Sequence, residues 1–238
     1  VSYKTSELLT IYKELIHYEL LFKKSNNDII TEKVQNIELA NGFTLSKYKL
    51  MNGFYAGTHH RFPGNGYIDF HLNNLFVIST RGVLGYTKNY TDETGIIFHQ
   101  IKNNINDFIS FETYNDSNWH PVVGLRDMTI YEDNVFVSYI DEIKKDCWNT
   151  SVISGEINYD EIKFKKVFKS KECVNSKINK DNEFNPQSSG GRIIQYDDDH
   201  IFLTVGDYIN RYLAQDKNSI NGKIIKVNIN NSTYEIVS

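Results

Sequence analysis

The sequence predicts an all-β fold preceded by one helix, and three observations lead to that expectation. Aromatic residues make up 13% of the 238-residue chain, with 16 Tyr and 14 Phe, which favours sheets over helical bundles. Short runs of β-branched and aromatic residues alternate with turn residues along most of the chain. A pattern of apolar strand, Asn or Asp turn and second apolar strand occurs three times, at intervals of roughly 55–65 residues.

The helix is predicted near the start of the chain, from Thr5 to Lys24. Ser6 is a suitable N-cap, and apolar residues recur after it at helical spacing. Its mixed charge favours a role as a flank or tether packed on the rest of the protein. We therefore expect residues 1–28 to form an N-terminal helical flank and residues 29–238 to form one β domain.

The β domain is predicted to begin with two strands, Ile29–Leu39 and Thr44–Met51, joined by a tight turn at residues 40–42. A loop rich in Gly, His and Pro follows, from Gly53 to Gly66. Further strands are predicted over Tyr67–His71, Leu75–Thr80, Val83–Thr87, Ile96–Ile101, Met128–Tyr131, Val135–Ile140, Ser151–Ile157, Glu161–Phe168, Arg192–Tyr196, Ile201–Val205 and Lys223–Val227.

The three repeated hairpins have their turns at Asn73-Asn74, at residues 132–134 and at residues 197–199. Each hairpin recurs only after a long interval, which favours blades arranged radially in a β-propeller. A β-sandwich built from hairpins is the alternative.

Composition excludes some classes of function. The net charge of −4 supplies no basic face for nucleic acid. No run of eighteen apolar residues is present to span a membrane as a helix. The first residue is Val, so we expect either that a leader has been removed or that the chain is an excerpt of a longer one.

The two cysteines, Cys147 and Cys173, lie in hydrophilic segments where free thiols would be exposed. We predict a disulfide that restrains a polar loop and contributes on the order of 3 kcal/mol. Two unrelated thiols in a reducing compartment are the alternative. Two cysteines without CxxC spacing do not make a zinc site.

Several motifs occur in order within the third hairpin unit. They are SSGGRII (Ser188–Ile194), IFLTVGD (Ile201–Asp207), Asn210-Arg211, AQD (Ala214–Asp216) and GKIIKV (Gly222–Val227). The second unit contributes GLRDMTIYED and VFVSYI between Gly124 and Ile140. Together these motifs resemble the soluble quinoprotein glucose/sorbosone dehydrogenases, also called aldose sugar dehydrogenases.

This resemblance implies a six-bladed β-propeller, of which the chain would supply about three blades. It also implies pyrroloquinoline quinone (PQQ) and calcium near the propeller axis, oxidation of the C1 hydroxyl of aldoses, and a periplasmic or extracellular location. The family's histidine base is the first residue of a His-x-Gly-Gly-Arg motif, and Ser188 occupies that position here. The family's cofactor-site glutamine falls near Val122, with His120 one or two residues away.

The resemblance places Arg192, Asp207, Asn210 and Arg211 at the cofactor site. A purely structural role is the alternative for each, including an ion pair between Arg192 and Asp207 across neighbouring strands. Because the family continues into a further cofactor-binding segment, we expect the chain to be the N-terminal portion of a longer protein, or one whose ring a partner completes.

Two functions remain open from sequence. The first is a PQQ-dependent sugar dehydrogenase with a substituted base, and the second is a non-catalytic propeller that binds a glycan or a protein. A calcium-dependent lactonase-like hydrolase is weaker, because no ligand set supports it. Two other candidates for metal binding, the histidines around His59-His60 and the run Asp197–Asp199, are better explained as loop and turn residues, so no metal site is predicted.

Overall fold

The computed structural model describes residues 28–49, 66–88, 90, 96–109 and 123–238. The predicted N-terminal helix, the loop before Gly66, Val122 and His120 lie outside these residues, and the division at residue 28 stays a prediction. The chain divides into two compact units. Unit 1 comprises residues 1–103 with 158–162, and unit 2 comprises residues 104–157 with 163–238.

Seventeen strands and one short helix are present in the described residues. In chain order they are β1 (Ile29–Ile30), β2 (Glu32–Glu38), β3 (Thr44–Lys49), β4 (Gly66–His71), β5 (Asn74–Ser79), β6 (Leu84–Thr87), β7 (Ile97–Asn103), β8 (Leu125–Tyr131), β9 (Asn134–Lys144), β10 (Cys147–Glu156), β11 (Glu161–Ile162), β12 (Lys165–Lys169), β13 (Val174–Asn175), β14 (Gly190–Asp197), β15 (His200–Val205), α1 (Arg211–Gln215), β16 (Lys223–Asn228) and β17 (Tyr234–Ile236).

Unit 1 contains one antiparallel meander, β4–β5–β6–β7, to which β1 adds at the β7 side. Strand β11 pairs in parallel with the end of β7, and β2 and β3 form a separate hairpin. The turn of that hairpin lies at Ala40–Gly42 as predicted, with Asn41 and Gly42 both in the left-handed region. The core includes Phe76, Ile78, Leu84 and Ile101, which are fully buried.

The predicted strand Ile29–Leu39 is interrupted at Thr31. Its backbone N–H and its hydroxyl both donate to the carbonyl of Ile96, and the hydroxyl accepts from the Ile96 N–H at 2.8 Å. These bonds tie residue 31 to the sheet of β7, whereas β2 turns away to pair with β3. The single predicted strand is therefore two strands with different partners.

Unit 2 contains two four-stranded antiparallel meanders, β8–β9–β10–β12 and β14–β15–β16–β17. Their facing sides share one hydrophobic core. The first sheet contributes Phe136, Val152, Val167 and Phe168, and the second contributes Ile193, Ile201, Leu203, Val205, Ile225 and Val227. Alternating burial along β15 shows how a period-two pattern supplies one of these faces.

Two predicted strands need correction. Glu161–Phe168 is not one strand, because Glu161 and Ile162 pair with β7 in unit 1 while Lys165–Lys169 pairs with β10 in unit 2. The hairpin of β9 and β10 is also longer than predicted, turning at Lys145-Asp146 instead of leaving a polar loop. Residues 141–150 look hydrophilic but pair along almost their whole length, and Asn149, Thr150 and Ser151 are fully buried.

The three repeated hairpins are confirmed, with turns at residues 72–73, 132–133 and 198–199. The first turn lies one residue earlier than predicted, because Asn74 pairs with His71 as the first residue of β5. Within the described residues, no helix has the length and apolar character needed to cross a membrane.

Candidate site around the Gly-Gly-Arg strand

Ser188 lies in a short 3-10 turn, Pro186–Ser189, that leads directly into β14. The side chain of Asn185 caps this turn by accepting from the Gln187 N–H at 2.9 Å. The Ser188 N–H donates to the Asn185 carbonyl, and its own carbonyl accepts from the Tyr208 N–H at 3.1 Å. Backbone bonds on both sides therefore hold Ser188 in place.

In the part of the chain that the structure describes, Ser188 has no partner that would make it a base. Among the described residues, no hydrogen bond joins its hydroxyl to a histidine or a carboxylate. A serine hydroxyl at its ordinary pKa neither accepts a proton nor acts as a nucleophile without such a partner.

Three glycines, at positions 190, 191 and 206, allow neighbouring backbone segments to contact each other closely around Ser188. A Cβ on Gly206 would lie 1.8 Å from the Ser188 carbonyl oxygen, and one on Gly191 would lie 2.3 Å from the Cβ of Arg126. Gly190 and Gly191 also have φ of +70° and +108°, which disfavours any side chain. The Gly-Gly pair therefore serves the contact of β14 with its neighbours.

A buried tyrosine, Tyr208, supports the same turn through Thr150. The Thr150 hydroxyl donates to the Ser189 carbonyl at 2.9 Å, so the Tyr208 hydroxyl is the donor in its 3.3 Å contact with Thr150. Burial raises the pKa of the Tyr208 phenol well above its ordinary value, which keeps it protonated as a donor. The ring stacks on Phe184 with centroids 5.6 Å apart.

Arg192 pairs with Asp127, and not with Asp207 as the structural alternative allowed. Its Nη1 donates to Asp127 Oδ1 at 2.9 Å, while Asp127 Oδ2 accepts the buried N–H of Ile193 at 2.9 Å. Burial raises the pKa of Asp127, and the Ile193 N–H and the guanidinium oppose that rise. This carboxylate joins the two meanders of unit 2, since β8 and β14 belong to different sheets.

Asp207, Asn210 and Arg211 lie together in the loop between β15 and β16. Asp207 Oδ1 accepts the N–H of Ile209 at 2.9 Å and supports two consecutive left-handed residues, at positions 208 and 209. The Asn210 side chain is fully buried and donates to the carbonyls of residues 183 and 208. Arg211 donates to Glu183 at 3.1 Å on the surface.

The AQD and GK motifs are joined in space. A Cβ on Gly222 would lie 2.5 Å from the Cβ of Ala214, so glycine allows β16 to begin against the end of α1. The Lys223 ammonium donates to the Ala214 carbonyl at 2.6 Å, and a cation at this position satisfies the free carbonyls of a helix C-terminus. Both motifs therefore stabilise the loop.

The disulfide joins Cys147 at the start of β10 to Cys173, with Cα atoms 5.3 Å apart. The predicted disulfide is confirmed: it connects the buried Cys147 of β10, which is 4% exposed, to the irregular segment between β12 and β13, where Cys173 is half-buried. The neighbouring residue Glu172 accepts from the Ser219 hydroxyl at 2.7 Å, from the Ile220 N–H at 2.9 Å and from the Asn221 amide.

The arrangement does not by itself fit a quinone site. Of the four side chains that the resemblance places there, Asn210 is enclosed by protein, Asp207 supports a turn and Arg211 is paired with Glu183. The Arg192 side chain is 71% exposed but already pairs with Asp127. In the described ranges, no three His, Cys, Asp or Glu side chains are grouped as metal ligands.

The carboxylates of Asp197–Asp199 each have a protein donor, which agrees with a turn. Asp197 accepts from His200, Asp198 from the Tyr131 hydroxyl and Asp199 from Asn230. The sequence reading missed Thr150, Tyr208 and Glu172 as organising residues. Of these three residues, only Tyr208 could have been found from the sequence, because it lies between the motif that ends at Asp207 and the motif that begins at Asn210.

Comparisons with known proteins agree with the all-β architecture. The chain is similar to a solved glucose dehydrogenase, with 11% identity, a TM-score of 0.50, and coverage of 85% of this chain and 48% of that one. It is also similar to the apo form of the soluble aldose sugar dehydrogenase from Escherichia coli, with 15% identity, a TM-score of 0.50, and coverage of 86% and 48%. The chain spans about half the length of these proteins. No curated protein sequence matches it.

The fold class is thus a partial β-propeller, with three four-stranded antiparallel meanders as blades. A family model described as glucose/sorbosone dehydrogenase matches residues 115–235, which is half of the chain. The chain belongs to the glucose/sorbosone dehydrogenase family, as its motifs predicted.

Proposed function

We propose that the protein is a carbohydrate-binding member of the glucose/sorbosone dehydrogenase family that lacks the family's proton acceptor. The observation that carries this proposal is the setting of Ser188. Family membership supports a sugar ligand, with the anomeric end of an aldose as the group recognised.

The chemistry explains why residue 188 decides between binding and turnover. Oxidation of a sugar C1 hydroxyl requires a group within hydrogen-bond reach that accepts the hydroxyl proton near neutral pH. Histidine meets this requirement because its pKa lies near 6.5, whereas a serine hydroxyl does not. Ser188 can donate or accept a hydrogen bond to a sugar, which is sufficient for recognition.

A working quinoprotein aldose dehydrogenase is the second candidate, and the family match over residues 115–235 favours it. On this reading PQQ supplies the electron acceptor and calcium accompanies it. Arg192, Asp207, Asn210 and Arg211 would then support the site as parts of the scaffold. A propeller that binds a protein partner instead of a glycan is the outcome expected if no sugar binds.

We place the protein in the periplasm or outside the cell. The Cys147–Cys173 disulfide supports this proposal, because such bonds persist in oxidising compartments. Recovery of the protein from the periplasmic or extracellular fraction with the disulfide formed would support the proposal, and recovery from the cytosolic fraction with both thiols reduced would overturn it.

The experiment uses the full-length protein with added PQQ and calcium. Aldose binding is measured by calorimetry, cofactor binding by absorbance, and oxidation by aldose-dependent dye reduction. The wild type should bind glucose or a related aldose without reducing the dye. If the absorbance measurement shows that the full-length protein binds PQQ, Ser188→His should gain dye reduction, while Ser188→Ala should remain inactive and controls for loss of the serine.

Two results would overturn the proposal. Dye reduction by the wild type at a rate above that of Ser188→Ala would show that the chain retains a working base. Absence of binding for every aldose tested, in protein that is folded by circular dichroism, would exclude the carbohydrate function.

A further inference from the structure

We propose that unit 2 carries a separate binding site for an acidic saccharide, in a groove along the outer edge of β12. The groove is open to solvent and has a volume of about 720 Å³, which is within the range of roughly 300–1,000 Å³ for small-molecule sites. Lys166, Lys169 and Lys171 line one side, and Asn231, Thr233 and Tyr234 line the other. This site goes beyond the proposed function and uses none of its residues.

The groove carries uncompensated positive charge. Three lysines and no carboxylate line it. Lys166 is neutralised by Asp141, whose Oδ2 lies 2.8 Å from the ammonium. Lys169 and Lys171 are exposed, and neither forms an ion pair with any residue that the structure describes. Two positive charges at the mouth of one cavity attract a ligand with at least one anionic group.

A β-bulge puts two of these lysines on the same side of the strand. Lys166 and Lys169 are three residues apart, so in a regular strand they would point to opposite faces. Here they pair with Ile153 and Ser151, which are two residues apart on β10 and share a face. The extra residue is Val167, which is buried. Bulges re-aim side chains in this way.

The opposite wall is held in place by its own hydrogen bonds. The Ser232 hydroxyl donates to the Val167 carbonyl at 2.6 Å and fastens this segment to β12. The N–H and hydroxyl of Thr233 both donate to Asn231 Oδ1. The ring of Tyr234 packs edge-on against Phe168, with centroids 5.8 Å apart.

The chemistry of the two walls together selects a saccharide over a bare ion. Ammonium groups bind carboxylates, hydroxyl and amide groups bind sugar hydroxyls, and an aromatic ring packs against apolar C–H groups. A ligand with carboxylates and many hydroxyls, such as a short chain of uronic acids, matches all three.

A neighbouring pocket provides a comparison, because its lysine is paired with a carboxylate of the protein. This pocket encloses about 200 Å³ and contains Lys226, Glu235 and His200. Lys226 contacts Glu235 at 2.5 Å, so its charge is balanced within the protein. No carboxylate lines the groove beside β12, and Glu172, whose charge reaches Tyr234, is engaged by hydrogen bonds from residues 219–221. Lysines also protect edge strands from pairing with other chains, and that role predicts no ligand.

The test measures binding of trigalacturonic acid to the full-length protein by calorimetry at low salt, with maltotriose as the neutral trisaccharide and inorganic phosphate as the bare anion. The wild type should bind trigalacturonic acid at least about tenfold more tightly than either. The double variant Lys169→Gln/Lys171→Gln should weaken that binding about tenfold, and so should about 0.5 M salt.

Two further variants distinguish binding in the groove from non-specific attraction to lysines elsewhere on the surface. Lys145→Gln/Lys217→Gln removes the same charge from exposed positions outside the groove and should leave binding unchanged. Asn231→Asp keeps the acceptor for Thr233, adds a negative charge to the wall and should weaken binding. The proposal fails if the wild type does not bind trigalacturonic acid, if phosphate binds as tightly, or if the control pair weakens binding equally. Ser188 variants should bind trigalacturonic acid as tightly as the wild type does. The acidic-saccharide site and the proposed aldose site can therefore be refuted separately.

Discussion

Removing the disulfide will lower the midpoint of thermal unfolding by about 7–14 °C. Cys147 and Cys173 are 26 residues apart in sequence. The chain-entropy treatment assigns a loop of this size about 3.5 kcal/mol of stabilisation through the unfolded state. For a chain of this size, each kcal/mol shifts the midpoint by roughly 2–4 °C. The change is Cys147→Ala/Cys173→Ala, because alanine adds no polar group at the buried position 147.

The assay is calorimetric unfolding of the wild type and the double variant, each with and without dithiothreitol. The reductant should lower the wild-type midpoint toward that of the variant, and it should leave the variant unchanged. The reduced wild type keeps both sulfur atoms, so its difference from the variant reports the small cavity that alanine leaves.

The structure also predicts which segment loses protection first when the disulfide is reduced. Because Glu172 precedes Cys173 and accepts three hydrogen bonds from residues 219–221, reduction should increase amide hydrogen exchange at Ile220. A midpoint shift below about 2 °C on reduction would refute this reasoning. Equal sensitivity of the double variant to dithiothreitol would refute it as well.

Three further predictions concern single residues. Gly191→Ala should lower the free energy of unfolding in urea by about 3 kcal/mol or more, because the new Cβ would overlap Arg126 of β8 and φ is +108°. Gly42→Ala is the control, with φ of +76° but open space around it, and should lower that free energy by only about 1 kcal/mol. Equal losses in the two variants would contradict this prediction. Glu172→Gln should lower the free energy of unfolding by roughly 1–3 kcal/mol, and no change would show that its three bonds are dispensable. Burial raises the pKa of Asp127, so its contribution to stability is full below about pH 4 and is lost as pH rises through the folded-state pKa. The free energy of unfolding should therefore fall over this pH range in the wild type and not in Asp127→Asn. The same pH dependence in the variant would assign the effect to another group.

Local sequence patterns predicted the hairpins because each one joins two short runs of β-branched and aromatic residues across a turn of polar residues. The strands β4, β5, β8 and β9 of the first two hairpins are examples, and the left-handed residues Leu72 and Glu132 mark their turns. The same patterns failed where pairing partners are distant in the chain. Glu161 and Lys165 look continuous, but their strands join different units.

Polar strands were the second source of error. Residues 149–151 have no apolar side chain, yet all three are fully buried, since their polar atoms bond to Ser170, Asn221, Ser189 and Asp141. Such long-range partners leave no local periodic signal. The resemblance identified the family, but it did not reveal that Arg192 bonds to Asp127, 65 positions earlier.

The contact between Gly222 and Ala214 has a consequence for how such chains diverge. Selection for a folded blade is enough to preserve both residues, and it also preserves Lys223 and the Gly-Gly pair, whether or not a sugar is oxidised. A lineage can therefore lose its proton acceptor at one position and still retain nearly every motif by which its ancestry is recognised. In this segment the motif residues serve folding, so the function proposed above depends on residue 188 alone.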